Sequence, residues 1–199
     1  MLSKILFIIV FLFASESQAA TRAQKRLYRY LKSPYSTWHI GLSSWQETIE
    51  IVSDSQDAAL ETSFTGLTLG YLKQKPFKKL KWIRSYGATF DFGIAKAQAG
   101  FPALDRLKEQ PWVRASLVYG YVYRTSFRTN LAFYMPISYK HLLWDIEDTL
   151  TVNDNGFSVG LSGRYDYKLN AKNTISFALE HQFMWNASIW TLNFGREFR

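Results

Sequence analysis

The chain has 199 residues, enough for one domain of substantial size, and a formal net charge of +8. It contains no cysteine, which excludes disulfide bridges and thiolate metal sites. Beyond the N-terminus no apolar run reaches the roughly eighteen residues that a membrane-spanning helix needs. Aromatic residues make up 17% of the chain, yet the mean hydropathy is only −0.16, because apolar and polar residues alternate and their contributions cancel.

The N-terminus predicts a secretory signal peptide over residues 1–19. Lys4 supplies a positive start, an unbroken apolar run extends from Ile5 to Phe13, and Ser17-Gln18-Ala19 fits cleavage after Ala19. The next segment, residues 20–34, is basic, with five cations between Thr21 and Ser33. Two interpretations of this segment stay open: a short amphipathic helix on a membrane surface, or a basic tail or strand extension.

Residues 35–199 predict a succession of alternating strands. In the third of these, Trp82 to Ala95, apolar side chains at every second position oppose Ser85, Gly87 and Asp91. Successive side chains in a strand point to opposite sides, so each segment has one apolar face and one polar face. The eight predicted strands are 35–46, 62–73, 82–95, 112–125, 130–140, 156–169, 174–185 and 188–198.

Strands of this length and number favour a closed sheet that crosses a bilayer. A tilted strand needs about nine to eleven residues to do so. Long connections at 47–61, 96–111 and 141–155 are expected at one end of the sheet, and shorter ones at 126–129 and 170–173 at the other. Short turns and both termini lie on the periplasmic side of outer-membrane barrels. The connection at 73–81 is long for such a turn, and the external one near Asn186 is very short.

A soluble β-sandwich would also alternate, but two features favour lipid. Aromatic residues concentrate near the strand ends, where indole and phenol rings prefer the headgroup level. The opposite faces carry glycine, serine, threonine and charge, unlike a sandwich core. The two predicted girdles consist of Trp82, Tyr123, Tyr167 and Phe198 at one rim and Tyr139, Phe157, Trp185 and Trp190 at the other.

The sequence therefore predicts an all-β fold, a closed antiparallel up-and-down transmembrane β-barrel of eight strands that follows a cleaved signal peptide. With this repeat pattern and with an aromatic residue near its C-terminus, the chain resembles the small eight-stranded outer-membrane barrels, the OmpA- and OmpX-like proteins. The resemblance implies a Gram-negative outer membrane. It also implies recognition of the last strand by the barrel-assembly machinery, although Arg199 follows Phe198 where that family usually ends on the aromatic residue.

The inward faces predict a salt-bridge network that fills the lumen, because charges removed from water need partners. Symmetric pairing of the third and fourth predicted strands sets Asp91 opposite Arg114, and the turn at 170–173 brings Glu180 close to Arg164. The remaining predicted members of this network are Arg124, Lys140, Asp166 and Lys168.

Catalytic candidates are few. His39 falls on the inward face, His141 follows the fifth predicted strand, and His181 has the unusual lipid-facing parity. The resemblance includes barrels that cleave or transfer acyl chains on lipid A with histidine and serine near the outer rim, so His181 and His141 are weak candidates for such a site. The sequence shows no metal-binding pattern and predicts no cofactor.

The predicted role is accordingly structural or in surface interactions, with a lumen closed by polar residues. Two alternatives remain: a lipid A-modifying enzyme, or a narrow pore for small solutes. The basic balance fits either nucleic acid or anionic lipid headgroups, and without a nucleic-acid motif it favours lipid. The expected partners are outer-membrane lipids and lipopolysaccharide, and the chain is expected to be a monomer.

Overall fold

The computed structural model describes residues 25, 29–53, 57–77, 81–98, 109–143, 150–153 and 156–199. The chain divides into two units, Met1–Ser33 and Pro34–Arg199. The predicted signal peptide lies outside the described residues. In the first unit, residues 25 and 29–32 are helical, and Ser33 N–H donates to the Arg29 carbonyl at 3.1 Å.

The second unit is one closed antiparallel sheet. Within the described residues nine strands form it, β1 Tyr35–Ser53, β2 Asp57–Pro76, β3 Trp82–Gln98, β4 Gln110–Arg124, β5 Thr129–Leu142, β6 Leu150–Asn153, β7 Phe157–Lys168, β8 Asn173–Gln182 and β9 Ala187–Phe198. Each of the eight long strands pairs with its neighbours, and β1 closes the barrel by pairing with both β2 and β9. The predicted eight-stranded up-and-down barrel is confirmed.

The barrel is apolar outside, and its interior holds polar and charged side chains together with two buried apolar clusters. Along β5, exposed Leu131, Phe133, Met135 and Ile137 alternate with buried positions such as Ser138. A water-soluble protein hides its apolar side chains, so this reversed arrangement suits a sheet surrounded by hydrocarbon. Closure then pairs the backbone groups that an open edge would expose to lipid. In the described part of the chain no helix has the length and apolar character needed to cross a membrane.

One end of the barrel, here called the termini end, carries Tyr35, Phe198 and the short connections 77–81, 125–128 and 169–172. The predicted long connection at 73–81 is shorter than expected, because β2 continues to Pro76 and β3 begins at Trp82. The opposite end, here called the loop end, carries the longer connections and also the four-residue turn at 183–186, where Asn186 adopts a positive φ of 47°.

At the loop end the structure corrects the predicted loop 47–61, most of which is strand. Ile49 and Leu60 pair in register and are both 2% exposed, so inward packing continues beyond the predicted boundaries. The predicted loop 141–155 likewise contains an additional strand, β6. β9 pairs with β1 only as far as Ser44, and β6 pairs with the outer part of β1, from Glu50 to Ser53.

Candidate functional site in the barrel lumen

The centre of the lumen holds a buried three-residue ion cluster. Arg114 donates from Nε to Asp91 Oδ2 at 2.9 Å and from Nη1 to Glu180 Oε1 at 2.8 Å. Asp91 and Arg114 face each other in the β3–β4 register, whereas Glu180 reaches across the lumen from β8. The Thr68 hydroxyl also donates to Asp91. Two carboxylates therefore share one guanidinium, and hydrogen bonds supplement the ion pairs, because buried charges need partners.

Neutral polar groups extend this cluster around the barrel wall. Gln182 Nε2 donates to Glu180 Oε1 at 2.7 Å and to Ser138 Oγ at 2.9 Å. Ser138 Oγ lies 2.8 Å from Ser116 Oγ on the neighbouring strand. The hydrogen bonds therefore connect β8, β5 and β4 through the interior and leave the centre of the lumen filled.

An aromatic cluster fills the lumen toward the loop end. Trp45 stacks on Phe64 with ring centroids 4.6 Å apart and meets Trp112 edge-on at the same distance. Trp45, Phe64, Trp112 and Trp185 are each at most 4% exposed. We call these four residues the aromatic plug. Trp45, Phe64 and Trp112 have the same inward parity as the polar lumen positions, and an eight-stranded interior is just wide enough for side chains to fill it.

A second ion pair is embedded in the plug. Lys140 Nζ donates to both carboxylate oxygens of Glu47 at 2.7 Å, and the lysine is 0% exposed. The same ammonium lies 4.8 Å from the Trp185 ring centroid and 5.3 Å from that of Phe64. A cation held this way gains from the ring faces as well as from the carboxylate.

Toward the termini end the lumen carries a third group of ion pairs. Arg164 Nε lies 2.7 Å from Asp166 Oδ1, at an angle that makes no hydrogen bond, while Nη2 donates to Oδ2 at 3.2 Å. Glu197 accepts from Lys168 at 3.2 Å and from Arg199 at 2.7 Å. Both acidic side chains at this end therefore point inward and are paired.

A small cavity of about 50 Å³ lies between the central and terminal ion groups. Space of this size holds one or two water molecules. His39 lines it together with Tyr134, Arg164, Glu180 and Asn193. The His39 ring packs over Gly70, where a β-carbon would collide with it, and its Nδ1 has no hydrogen-bond partner among the described residues. His39 thus lies in the lumen, as its parity predicts.

Each predicted lumen residue can be located. Asp91, Arg114, Lys140 and Asp166 are buried, and the others are half-buried, namely Arg124, Arg164, Lys168 and Glu180. In the β7–β8 register Glu180 lies opposite Ser162 and Arg164 opposite Ala178, and the side chains of Glu180 and Arg164 line the same small cavity. The ion-pair partner of Glu180 is Arg114.

The predicted aromatic girdles need one correction. Trp82, Tyr139, Phe157, Tyr167, Trp190 and Phe198 are exposed on the outer surface, and Tyr123 is partly exposed beside Trp82. Trp185 is not on this surface. β8 ends at Gln182 and the turn at 183–186 breaks the alternation, so the Trp185 ring enters the lumen as part of the plug.

The predicted catalytic candidates lie near the loop end. His141 is exposed near the end of β5. His181 faces outward, and its Nδ1 lies 3.2 Å from Ser188 Oγ on the paired strand β9. The sequence did not indicate this contact, because the two residues are seven positions apart in the chain. They become neighbours only through the tight β8–β9 hairpin.

A polar pocket of about 210 Å³ lies at the loop end beside the short β8–β9 turn. Gln46, Glu47, Thr48, Glu61 and Asn186 are among its lining residues. It forms where β9 stops pairing with β1 while the β1–β2 hairpin continues outward. The loop end therefore offers a recess lined by two carboxylates and several neutral polar groups.

Comparisons with known proteins identify the fold. No family model matches the chain, and no curated protein matches its sequence. Among solved structures it is similar to OprG, an outer-membrane protein of Pseudomonas aeruginosa, with a TM-score of 0.53, 13% identity and coverage of 84% of this chain and 97% of that one. It is also similar to Ail, the attachment invasion locus protein of Yersinia pestis, in complex with the heparin analogue sucrose octasulfate, with a TM-score of 0.51, 15% identity and coverage of 83% and 99%. The chain has the fold of the small outer-membrane β-barrels.

Proposed function

We propose that this chain is an outer-membrane barrel of a Gram-negative bacterium, with both ends in the periplasm and a structural or surface-interaction role. Its apolar outer surface and its fold support the membrane location. The short connections at the termini end support the orientation, since outer-membrane barrels keep their short turns in the periplasm. Lipids, including lipopolysaccharide outside, surround the monomeric barrel, and β9 presents the signal for the assembly machinery.

The observation that carries a non-conducting role is the filled lumen. Three ion groups and the aromatic plug fill the lumen from the termini end to the loop end, and the described residues leave cavities of about 50 and 20 Å³ among the ion groups. Lys140 and Trp112, both at most 1% exposed, lie in the outer half of this filling. A water-filled channel needs a continuous polar path, whereas here large side chains cross the interior.

The loop end is the surface available to partners outside the cell. The exposed carboxylates that the structure describes at this end are Glu50, Glu61 and Glu109. The sequence of residues 144–149 contains three more acidic residues, Asp145, Glu147 and Asp148. The complex of Ail with sucrose octasulfate shows a barrel of this fold with a polyanion. The acidic loop end of the present chain instead favours a basic or neutral polar partner.

The second candidate function is cleavage of lipid esters, and the His181–Ser188 pair favours it. Imidazole Nδ1 at hydrogen-bond distance can take the serine proton as the hydroxyl attacks an ester carbonyl. The protonated imidazole would then return that proton to the departing alcohol, and water would release the acyl group. Among the described residues no carboxylate contacts the imidazole, so the pair lacks the usual orienting group.

Mass spectrometry of lipid A separates the two candidates. We expect identical acyl composition in cells with the wild-type chain, with Ser188→Ala and with no chain, because the barrel acts without chemistry. Ser36→Ala is a matched control, since that hydroxyl contacts Tyr71 at the termini end. Loss of an ester-linked chain with the wild type and Ser36→Ala, but not with Ser188→Ala, would replace the structural proposal with the enzymatic one.

A further inference from the structure

Two like charges face each other on the outer surface near the termini end. Lys75 on β2 and Arg84 on β3 are direct partners in the antiparallel register, and both side chains are exposed. Like charges placed directly opposite destabilise a sheet. In the part of the chain that the structure describes, neither cation contacts a carboxylate.

A second pair of like charges lies inside the barrel, where both side chains are buried. Arg114 and Lys140 are also direct partners in register. There Arg114 pairs with both Asp91 and Glu180, and Lys140 pairs with Glu47. The outward pair has no such carboxylate among the described residues, so an anion from the surroundings could neutralise its charge.

The surroundings of the outward pair fit the boundary between headgroups and hydrocarbon. The Arg84 guanidinium lies 5.5 Å from the Phe77 ring centroid, and Phe77 stacks with Tyr121 at 6.1 Å. Tyr121 is the β4 partner of Arg84, and its hydroxyl lies 3.4 Å from that of Tyr119. Aromatic rings with polar tips prefer this level of a membrane, so the two cations lie where lipid phosphates are found.

Charge at the termini end favours anions throughout. The acidic side chains Asp166 and Glu197 turn inward and are paired. The described exposed charges at this end are basic, namely Lys73, Lys75, Lys81, Arg84, Arg128, Lys172, Arg196 and Arg199. Only Lys75 and Arg84 among these eight are direct cross-strand partners of each other.

We propose that Lys75 and Arg84 form a binding site for the phosphate of an anionic glycerophospholipid in the leaflet at the termini end. The phosphate oxygens lie between the ammonium and the guanidinium, and the acyl chains extend along the apolar outer face. This inference rests on the proposed membrane location. It adds one defined lipid-binding site to an outer surface that is otherwise in contact with bulk lipid.

The test uses the full chain refolded into bilayers of phosphatidylcholine with a graded fraction of phosphatidylglycerol. Native mass spectrometry then counts the lipids that stay bound. We expect retention of phosphatidylglycerol by the wild type and roughly 30-fold weaker retention by Lys75→Gln/Arg84→Gln, since each cation near a membrane surface strengthens binding about fivefold and the variant lacks two of them. The matched control Arg128→Gln/Lys172→Gln removes the same charge from two turns and retains the lipid.

Further arms make each outcome decisive. If the double variant does not fold, the single variant Lys75→Glu replaces it. The new carboxylate lies opposite Arg84 and neutralises its charge, so this variant should fold but should not retain the lipid. Inorganic phosphate should not displace the lipid, and displacement would mean that a free anion is the ligand. Equal retention by wild type and variant, or equal loss in the control, overturns the site. Failure of the wild type to insert at all would instead contradict the membrane location.

Discussion

Replacing Arg114 by leucine is expected to lower the free energy of unfolding by about 3–5 kcal/mol, because it leaves buried carboxylates without a cation. Asp91 would lose its partner at 2.9 Å, and Glu180 its partner at 2.8 Å. Urea unfolding of the chain in lipid vesicles, followed by tryptophan fluorescence, measures this change.

The control for this prediction is an exposed ion pair of the same sheet. Lys96 and Glu109 are 2.7 Å apart but about 60% exposed, so Lys96→Ala should cost less than about 1 kcal/mol. Replacing Asp91, Arg114 and Glu180 together by apolar residues of similar volume should recover much of the loss. Equal losses of unfolding free energy for Arg114→Leu and Lys96→Ala would show that water reaches the central ion cluster.

Replacing Trp112 by alanine is the second large change, with an expected loss of about 3–5 kcal/mol. The indole is 1% exposed and packs against Trp45 and Phe64. Its removal leaves a cavity among rigid barrel walls that cannot collapse. The same urea titration in vesicles reports the loss.

Trp190 provides the matched comparison, since it carries the same side chain on the outer surface at 43% exposure. Lipid fills the space left by Trp190→Ala, so the loss should be less than half of that for Trp112→Ala. Comparable losses would contradict the placement of Trp112 inside and Trp190 outside.

Alternation predicted most of the fold because a strand in a barrel wall has only two faces. The parity of Asp91, Arg114 and Lys140 was enough to direct them inward, and the eight long strands follow from the same pattern. Trp45, Phe64 and Trp112 share this inward parity in the structure. Their role was missed because a polar lumen was expected, and the aromatic plug needs contacts from three strands and a turn.

The errors arose where the period of two breaks or where register depends on turn geometry. Trp185 follows the end of β8, so its side was set by the turn and not by counting. Glu180 was expected close to Arg164, but the residue that pairs with it, Arg114, lies on β4 across the lumen. Glu47 was assigned to a loop, although as part of β1 it holds the buried Lys140. Local sequence does not contain this long-range information.

Conductance across a planar bilayer measures whether the side chains of the barrel close its lumen. The chain is refolded, its insertion is verified by protection from protease in vesicles, and the current is recorded under an applied voltage. We expect no discrete conductance steps for the wild-type chain, because its side chains fill the lumen. Regular steps that scale with the amount of inserted wild-type chain would contradict this expectation and would establish a pore.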